Sequence, residues 1–259
     1  MPRVSEIYDF INLIAPFDRQ EEWDNGGLNV GNPDAPVSAI TVALDVTAEV
    51  IDAASQAGAN LIVSHHPVIF KPRSAFLKGD IAFDLAARGI SCIAAHTCLD
   101  CADGGVNDVL CELLGIEDAK PVPSAESAFP TLRAGRLKDE MSVPELAKLI
   151  KKSLDVQYVC VTAPNDNKPL RTAAVCGGAG GSFVADAARA ADVYITGELK
   201  YHEALEACAA GLCVIEAGHF ATEHPAMRAL LAKIKGRFPD TPAAMAEQTD
   251  PIAVFLGEF

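Results

Sequence analysis

Histidines are few in this 259-residue chain, and four of the six come directly after short apolar runs. These four are His65, His66, His96 and His219. The runs are typical of buried strands, and open α/β sheets place their ligands beyond the carboxyl ends of strands. We therefore interpret these histidines as candidates for binding or catalysis, with ordinary loop histidines as the alternative for each one taken alone.

Two of these histidines are adjacent, in the segment Ser64-His65-His66-Pro67. Adjacent residues in extended backbone point to opposite sides, and a residue before proline favours extended backbone. The pair is therefore predicted to diverge and to serve two metal ions rather than one. The alternative is two surface histidines in a loop.

Carboxylates follow two of the histidines closely. Asp100 comes soon after His96, and Glu223 soon after Gly218 and His219. Asp100 alone would also suit a turn or helix cap, and Glu223 is expected in the first turn of a helix, where the positive helix end favours an ionised carboxylate. Together the segments supply a mixed nitrogen and oxygen set, which fits Zn, Mn, Fe, Co or Ni better than Ca or Mg. The predicted metal ligands are His65, His66, Asp100, His219 and Glu223.

A glycine-rich segment at 177–182 joins a predicted strand to a predicted helix. Backbone amides at a helix N-terminus can hold a phosphate group, so Gly178, Gly180 and Gly181 are candidate substrate-binding residues. The segment has neither the P-loop ending nor the dinucleotide-binding glycine pattern. A tight structural turn is the alternative.

Residues near the predicted metal ligands are candidates for proton transfer or for contact with the substrate. Glu198, Lys200 and His202 follow another strand, and an ordinary helix start explains them nearly as well. His96 completes the set of candidate catalytic residues, together with Glu198 and His202.

Cys98 and Cys101 form a Cys-x-x-Cys pair around Asp100. No second pair completes a four-thiolate zinc site, so we interpret these two as oxidation-sensitive neighbours of the metal site rather than ligands. Most of the eight cysteines are expected to be reduced thiols, because acidic residues interrupt the start of the chain where a signal peptide needs an apolar stretch. The predicted location is the cytoplasm.

The chain is acidic, with 35 Asp and Glu residues against 21 Lys and Arg residues and a formal net charge of -14. This charge repels nucleic-acid phosphates and anionic lipids alike. No apolar run reaches membrane-spanning length. Neither nucleic acid nor a membrane is therefore an expected partner.

Helices alternate with buried-type strands along the chain, which favours an α/β fold with largely parallel or mixed sheets. The helices are predicted at 5–15, from the N-cap Thr47 to Gly58, and from a capping box of Ser142 and Glu145 through Leu154. The strands are predicted at 39–44, 61–63, 90–95, 156–161, 173–176, 193–195 and 213–215. The proline-containing segment 120–130 is the best linker candidate. It separates a first α/β domain at 1–120, completed by 222–259, from a second at 126–221.

Five segments together resemble the GTP cyclohydrolase 1 type 2 family, also called the dinuclear metal-centre hexameric proteins: EEWDNGGLNVG, GANLIVSHHPVIF, AAHTCLDCADGGVNDVL, ADVYITGELKYHEAL and VIEAGHFATE. The resemblance covers residues 23–223 in order. It implies two linked α/β domains with a metal cleft between them, a toroidal homohexamer and two divalent ions per chain. It also implies that His65 and His66 bind different ions, that Glu223 bridges them, and that His96 lines the cleft without being a ligand.

A metal-dependent hydrolase that uses a metal-activated water is the activity that this resemblance implies. On GTP, the hypothesis is hydration at C8 of the purine, ring opening and loss of formate; another phosphorylated small molecule is the chemical alternative. A second alternative is a non-catalytic metal-handling or scaffold protein acting through a homohexameric ring. Dinucleotide binding is a third alternative, but its glycine fingerprint is missing. The sequence leaves the native metal open.

Overall fold

The computed structural model of the protein describes residues 1–162 and 168–252. The chain divides into two compact units. The first unit comprises Met1–Gly105 and His224–Gln248, and the second comprises Val106–Glu223 with residues 249–252. Within the described residues, no helix combines the length and the apolar character that a bilayer-spanning helix needs.

Helices and strands alternate through both units. The first unit begins with α1 (Val4–Ile14), β1 (Gly27–Val30), β2 (Ile40–Ala43), α2 (Ala48–Gln56), β3 (Leu61–Ser64), α3 (Ile81–Ala87), β4 (Ser91–Ala94) and α4 (Thr97–Cys101). The second unit contains α5 (Val106–Leu113), β5 (Ile116–Pro121), β6 (Arg133–Met141), α6 (Val143–Ser153), β7 (Cys160–Thr162), β8 (Leu170–Cys176), α7 (Val184–Ala190), β9 (Val193–Thr196), α8 (Tyr201–Ala209) and β10 (Cys213–Glu216). The chain then returns to the first unit through α9 (His219–Arg237) and ends the described elements with β11 (Ala243–Met245).

The sheet of the first unit has the strand order β1-β4-β3-β2-β11. The strands β11, β2, β3 and β4 are parallel, and β1 pairs antiparallel with β4. Every residue of β2, β3 and β4 is buried, because helices cover both faces of a parallel sheet. The carboxyl ends of the neighbouring strands β3 and β4 therefore lie at one edge, with His65 after β3 and His96 after β4.

The helix α2 begins where the sequence predicts. The Thr47 hydroxyl accepts a hydrogen bond from the Val50 amide at 3.3 Å, which satisfies one of the amides at the helix start. Val50, Ile51 and Ala54 pack into the core of the first unit. The capping box of Ser142 and Glu145 is likewise present at the start of α6.

The sheet of the second unit is mixed, with the order β5-β6-β8-β9-β10-β7. The central strands β8, β9 and β10 are parallel, whereas β5, β6 and β7 pair antiparallel with their neighbours. The predicted α/β architecture with two units is confirmed. The strand predicted at 156–161 is shorter and later, at Cys160–Thr162.

The segment 120–130 connects two strands of one sheet, so the prediction of a linker there is wrong. It joins the end of β5 to β6, and these two strands form an antiparallel pair. Prolines and the lack of an apolar period mark a surface connection of any kind, not only a link between domains. Since α5 packs against β5 and β8, the structure places residues 106–120 in the second unit.

The exposed carboxylate of Asp192 gives the second unit a pH-dependent contribution to stability. Burial opposes ionisation of Asp192, but the backbone N–H groups of Arg171 and Thr172 and the Thr172 hydroxyl donate to its Oδ2, at 3.0, 3.0 and 2.9 Å. Together with the charge of Lys168, these bonds lower the pKa of Asp192 below its ordinary value of 3.8. The ionised form therefore stabilises the folded chain above that ordinary value.

We expect Asp192→Asn to lower the free energy of unfolding at neutral pH by about 1 kcal/mol, since the hydrogen bonds remain partly screened by solvent. The difference should shrink as the pH falls below 3.8 and disappear below the lowered pKa, because the wild-type carboxyl is then protonated too. Urea unfolding of both proteins across this pH range checks the expectation. A difference that stays constant with pH would contradict it.

Candidate metal centre

Three histidines of the first unit share one hydrogen-bonding arrangement. The Nδ1 atom of His65 lies 2.8 Å from the Ala95 carbonyl, that of His66 lies 2.8 Å from Asp45 Oδ1, and that of His96 lies 2.8 Å from Asp24 Oδ1. In the neutral ring, a proton donated from Nδ1 leaves the lone pair on Nε2. Each imidazole is therefore oriented and polarised as a histidine metal ligand usually is.

The same three rings lie close together. Their centroids are 4.9 Å apart for His65 and His66, 5.1 Å for His65 and His96, and 5.3 Å for His66 and His96. One ligand atom from each ring lies within 4.8 Å of the other two. Asp100 lies beside them, with Oδ1 3.5 Å from His65 Nε2. These side chains can supply nitrogen and oxygen ligands to a metal ion.

The predicted divergence of His65 and His66 is not what the backbone produces. The strand β3 ends at Ser64, so both histidines lie in the bend after it, where the alternation of a strand no longer applies. Their amides still donate to the Ala43 and Leu44 carbonyls of the neighbouring chain segment, at 3.2 and 3.1 Å. Both rings therefore reach the same edge of the sheet.

Two carboxylates that orient this set were not among the predicted site residues. Asp45 lies two residues after the end of β2, so the strand-end rule that selected the histidines could also have selected it. The Asp24 side chain is fully buried. Its burial opposes ionisation, but the hydrogen bond and charge of His96 and two hydrogen bonds from Thr97 lower the pKa of Asp24 to about 2. A permanently ionised Asp24 then holds the His96 ring in place.

The second unit contains a pair of potential metal ligands of its own, His219 and Glu223. His219 Nε2 lies 3.0 Å from Glu223 Oε2, and its Nδ1 lies 3.3 Å from Glu198 Oε1. Glu223 was expected in the first turn of its helix, but α9 begins at His219, so Glu223 lies one turn further along. Because residues four apart share a helix face, this start brings the two side chains together.

The glycine-rich segment makes room for these side chains. A Cβ atom on Gly178 would lie 2.0 Å from Glu223 Oε1 and 3.2 Å from His219 Nε2. The Gly178 amide donates to Thr222 Oγ1 at 3.0 Å, and the Gly180 amide donates to Thr196 Oγ1 at 3.2 Å. These two amides are therefore engaged within the unit, and phosphate binding by Gly178, Gly180 and Gly181 stays a prediction that they do not support.

The remaining predicted residues lie outside these groups. His202 is exposed on α8, and the groups of potential metal ligands among the described residues do not include it. Lys200 lies just before α8, with Nζ 3.7 Å from Glu203 Oε1. Cys98 and Cys101 are buried thiols, and burial, reinforced by the charge of Asp100, raises the pKa of Cys98. A protonated, buried thiol reacts slowly with oxidants, so these surroundings do not favour redox sensitivity.

We expect Asp45→Asn to weaken the binding of divalent ions by about tenfold, since carboxylates that orient a ligand histidine contribute 10–100-fold to metal affinity. The substitution keeps the shape of the side chain and removes the charge that faces His66 Nδ1. Titration with Zn²⁺ and Mn²⁺ against a chromophoric chelator measures the affinity. Asp52→Asn is the matched control, because Asp52 pairs with Arg88 at 2.6 Å on the surface of the same unit. Equal affinities for the two variants would contradict the expectation.

Comparisons with known proteins agree with this architecture. The sequence model of the family described as Duf34/NIF3 (NGG1p interacting factor 3) matches residues 2–251. The chain is 36% identical over 245 residues to a GTP cyclohydrolase 1 type 2 homolog of Clostridium perfringens, covering 91% of this chain and 92% of the relative. It is 33% identical over 242 residues to the protein of the same name from Clostridium acetobutylicum, covering 90% of each.

A solved structure described as a Bacillus cereus protein related to NIF3 superimposes with a TM-score of 0.90 at 25% identity, covering 98% of this chain and 99% of that one. The family match spans nearly all of the chain, and the resemblance carried by the five sequence segments is thereby confirmed. The chain belongs to the Duf34/NIF3 family.

Proposed function

We propose that the protein binds two divalent transition-metal ions and is a metal-dependent hydrolase of the GTP cyclohydrolase 1 type 2 kind. The observation that carries this proposal is the shared arrangement of the ligand candidates His65 and His66, each with Nδ1 against a carbonyl or carboxylate oxygen at 2.8 Å. Surface histidines have no reason to share such an arrangement, whereas histidine metal ligands have one.

The residues that would hold the ions are His65, His66, Asp100, His219 and Glu223. This donor set fits Zn, Mn, Fe, Co or Ni. When bound, such a pair of ions lowers the pKa of a coordinated water towards neutrality and stabilises negative charge on the substrate.

The protein's own groups then have defined tasks. The Ala95 carbonyl and Asp45 each accept the Nδ1 proton of a ligand histidine, and Glu198 accepts that of His219. His96, held by Asp24, is the nearest further imidazole for proton transfer to a substrate. The proposed reaction on GTP is addition of one water at C8, opening of the imidazole ring to a formamide, and hydrolysis of that formamide by a second water, which releases formate and leaves a free amine. The names of the two clostridial relatives support GTP as the first substrate to test.

The test combines metal analysis with turnover. Protein purified without added metal is analysed for its elements, then assayed for formate release from GTP and for hydrolysis of a panel of phosphoesters, before and after chelation and reloading. We expect metal-dependent turnover in the wild type and in His202→Ala, and its loss in His219→Ala and Glu223→Gln. His202 is a suitable control because it is an exposed histidine of the same unit.

Two other outcomes would count against the hydrolase proposal. Turnover that survives chelation would remove the hydrolase proposal. Metal-loaded protein without turnover on any of these substrates would favour the metal-handling or scaffold alternative.

The proposal also includes a homohexameric ring acting in the cytoplasm on a nucleotide or another phosphorylated small molecule. The resemblance to the dinuclear metal-centre hexameric proteins supports the ring, and the eight reduced cysteines support a reducing compartment. Sedimentation equilibrium of the full chain tests the assembly, with a mass that corresponds to six chains as the expected result.

A further inference from the structure

A cavity of about 410 Å³ opens beside His66 in the first unit. Asp45 and His66 form its polar wall, and Val46, Val68, Phe70 and Ile81 form much of its apolar wall. The volume falls within the range of small-molecule sites, which combine mainly apolar walls with a few polar groups. Because the polar wall belongs to the histidine set, a molecule in this cavity reaches the candidate metal ligands directly.

Two aromatic rings flank the same histidine set. The ring centroid of Phe70 lies 5.6 Å from that of His96, and the ring centroid of Trp23 lies 5.7 Å from it. Phe70 is 45% exposed and Trp23 is 61% exposed, although both could gain free energy by burial. Exposed aromatic rings beside a polar site are well suited to stacking on a flat ligand ring.

Two asparagine side chains from the segment that carries Trp23 hold the backbone beside Phe70 in place. The Asn25 side-chain amide donates to the Ile69 carbonyl at 2.6 Å, and the Val68 amide donates to Asn29 Oδ1 at 3.1 Å. These bonds fix the chain on the amino side of Phe70. Because the backbone beside Phe70 is held, binding a ring there costs less conformational entropy of the chain than binding it on a mobile loop would.

We infer that this cavity binds the flat heteroaromatic ring of the substrate against Phe70, with the reacting part of the substrate towards His66. The inference rests on the proposed function, because it assigns the ring to the same histidine site. It makes Phe70 a residue that determines substrate specificity.

The test is a binding measurement that needs no turnover. Guanosine is the probe, ribose is the control without the heteroaromatic ring, and the full chain is used in metal-depleted and Mn²⁺-loaded forms. The single tryptophan, Trp23, reports binding through its fluorescence, and calorimetry checks the affinity. Phe70→Ala removes the ring, Phe70→Leu keeps an apolar side chain, and Phe76→Ala is the matched control, because Phe76 is also 45% exposed and does not line the cavity.

We expect saturable binding of guanosine, about tenfold weaker in Phe70→Ala and in Phe70→Leu, with Phe76→Ala like the wild type and no binding of ribose. Failure of guanosine to bind the wild type, or wild-type affinity in either Phe70 variant, would overturn the inference. Binding that depends on Phe70, in metal-loaded protein that turns over neither GTP nor any of the phosphoesters, would leave this subsite standing and remove the hydrolase proposal. GTP turnover that Phe70→Ala leaves unchanged would support the hydrolase proposal and remove the subsite at Phe70.

Discussion

Replacing His65 with alanine is expected to weaken the binding of divalent ions on the order of 100-fold or more, the largest effect expected of a single side chain in the first unit. His65 is fully buried, its Nδ1 is fixed by the Ala95 carbonyl, and its Nε2 lies 3.5 Å from Asp100 Oδ1. A buried imidazole with this orientation cannot be replaced by a neighbouring side chain. Competition against a chromophoric chelator with Zn²⁺ and Mn²⁺ measures the loss.

A second variant separates metal binding from folding, since a buried substitution also leaves a cavity. Asp100→Asn keeps the size of the side chain and removes one charged oxygen donor, so it should weaken metal binding while the urea unfolding midpoint of the metal-free protein stays close to that of the wild type. His202→Ala controls for the loss of any imidazole. Wild-type metal affinity in both His65→Ala and Asp100→Asn would contradict the proposed ligand set.

Gly178→Ala is expected to destabilise the protein by about 3 kcal/mol, from left-handed backbone strain and overpacking together. Gly178 has a φ of +64°, and its Cβ would lie 2.0 Å from Glu223 Oε1, so the carboxylate would have to move. Displacement of Glu223 also breaks its contact with His219. Metal affinity should therefore fall together with the free energy of unfolding.

Gly211→Ala is the matched control for this substitution. Gly211 has a φ of +71°, close to that of Gly178, but no atom lies within 4 Å of its added Cβ. It should therefore cost only the backbone strain, about 1 kcal/mol, and leave metal affinity unchanged. Urea unfolding and metal titration of both variants test the comparison. Equal destabilisation by the two substitutions would show that Gly178 makes no room for Glu223.

The parts of the fold that sequence predicts well are those buried on both faces. The strands β2, β3, β8 and β9 are short apolar runs because helices cover them, and their ends locate the histidines. The strands β5 and β6 escape prediction because most of their residues are exposed or half-buried, and β5 also contains a proline. Partial exposure removes the continuous apolar run on which the prediction depends.

The candidate site, like the fold, has parts that the sequence predicts and parts that it does not. Ligand-type residues at strand ends are visible in sequence, whereas the partners that orient them depend on how loops fold. Asp24 reaches His96 from a distant loop, and no spacing rule links the two. The role of Gly178 also depends on coordinates, because a glycine that clears space for Glu223 has the same sequence signature as a glycine that binds phosphate.

The last strand of the first sheet comes from the far end of the chain, and this has a consequence for biosynthesis. β11 pairs with β2. Just after β11, the Gln248 side chain hydrogen-bonds the backbone of two consecutive residues: its Oε1 accepts from the Leu44 amide at 2.7 Å, and its Nε2 donates to the Asp45 carbonyl at 2.9 Å. The ribosome therefore makes residues 106–223 before the first unit can complete its sheet. The backbone at Asp45, whose carboxylate faces His66, gains its hydrogen bonds to Gln248 only after residue 248 has been synthesised, so a nascent chain cannot finish the histidine cluster before then.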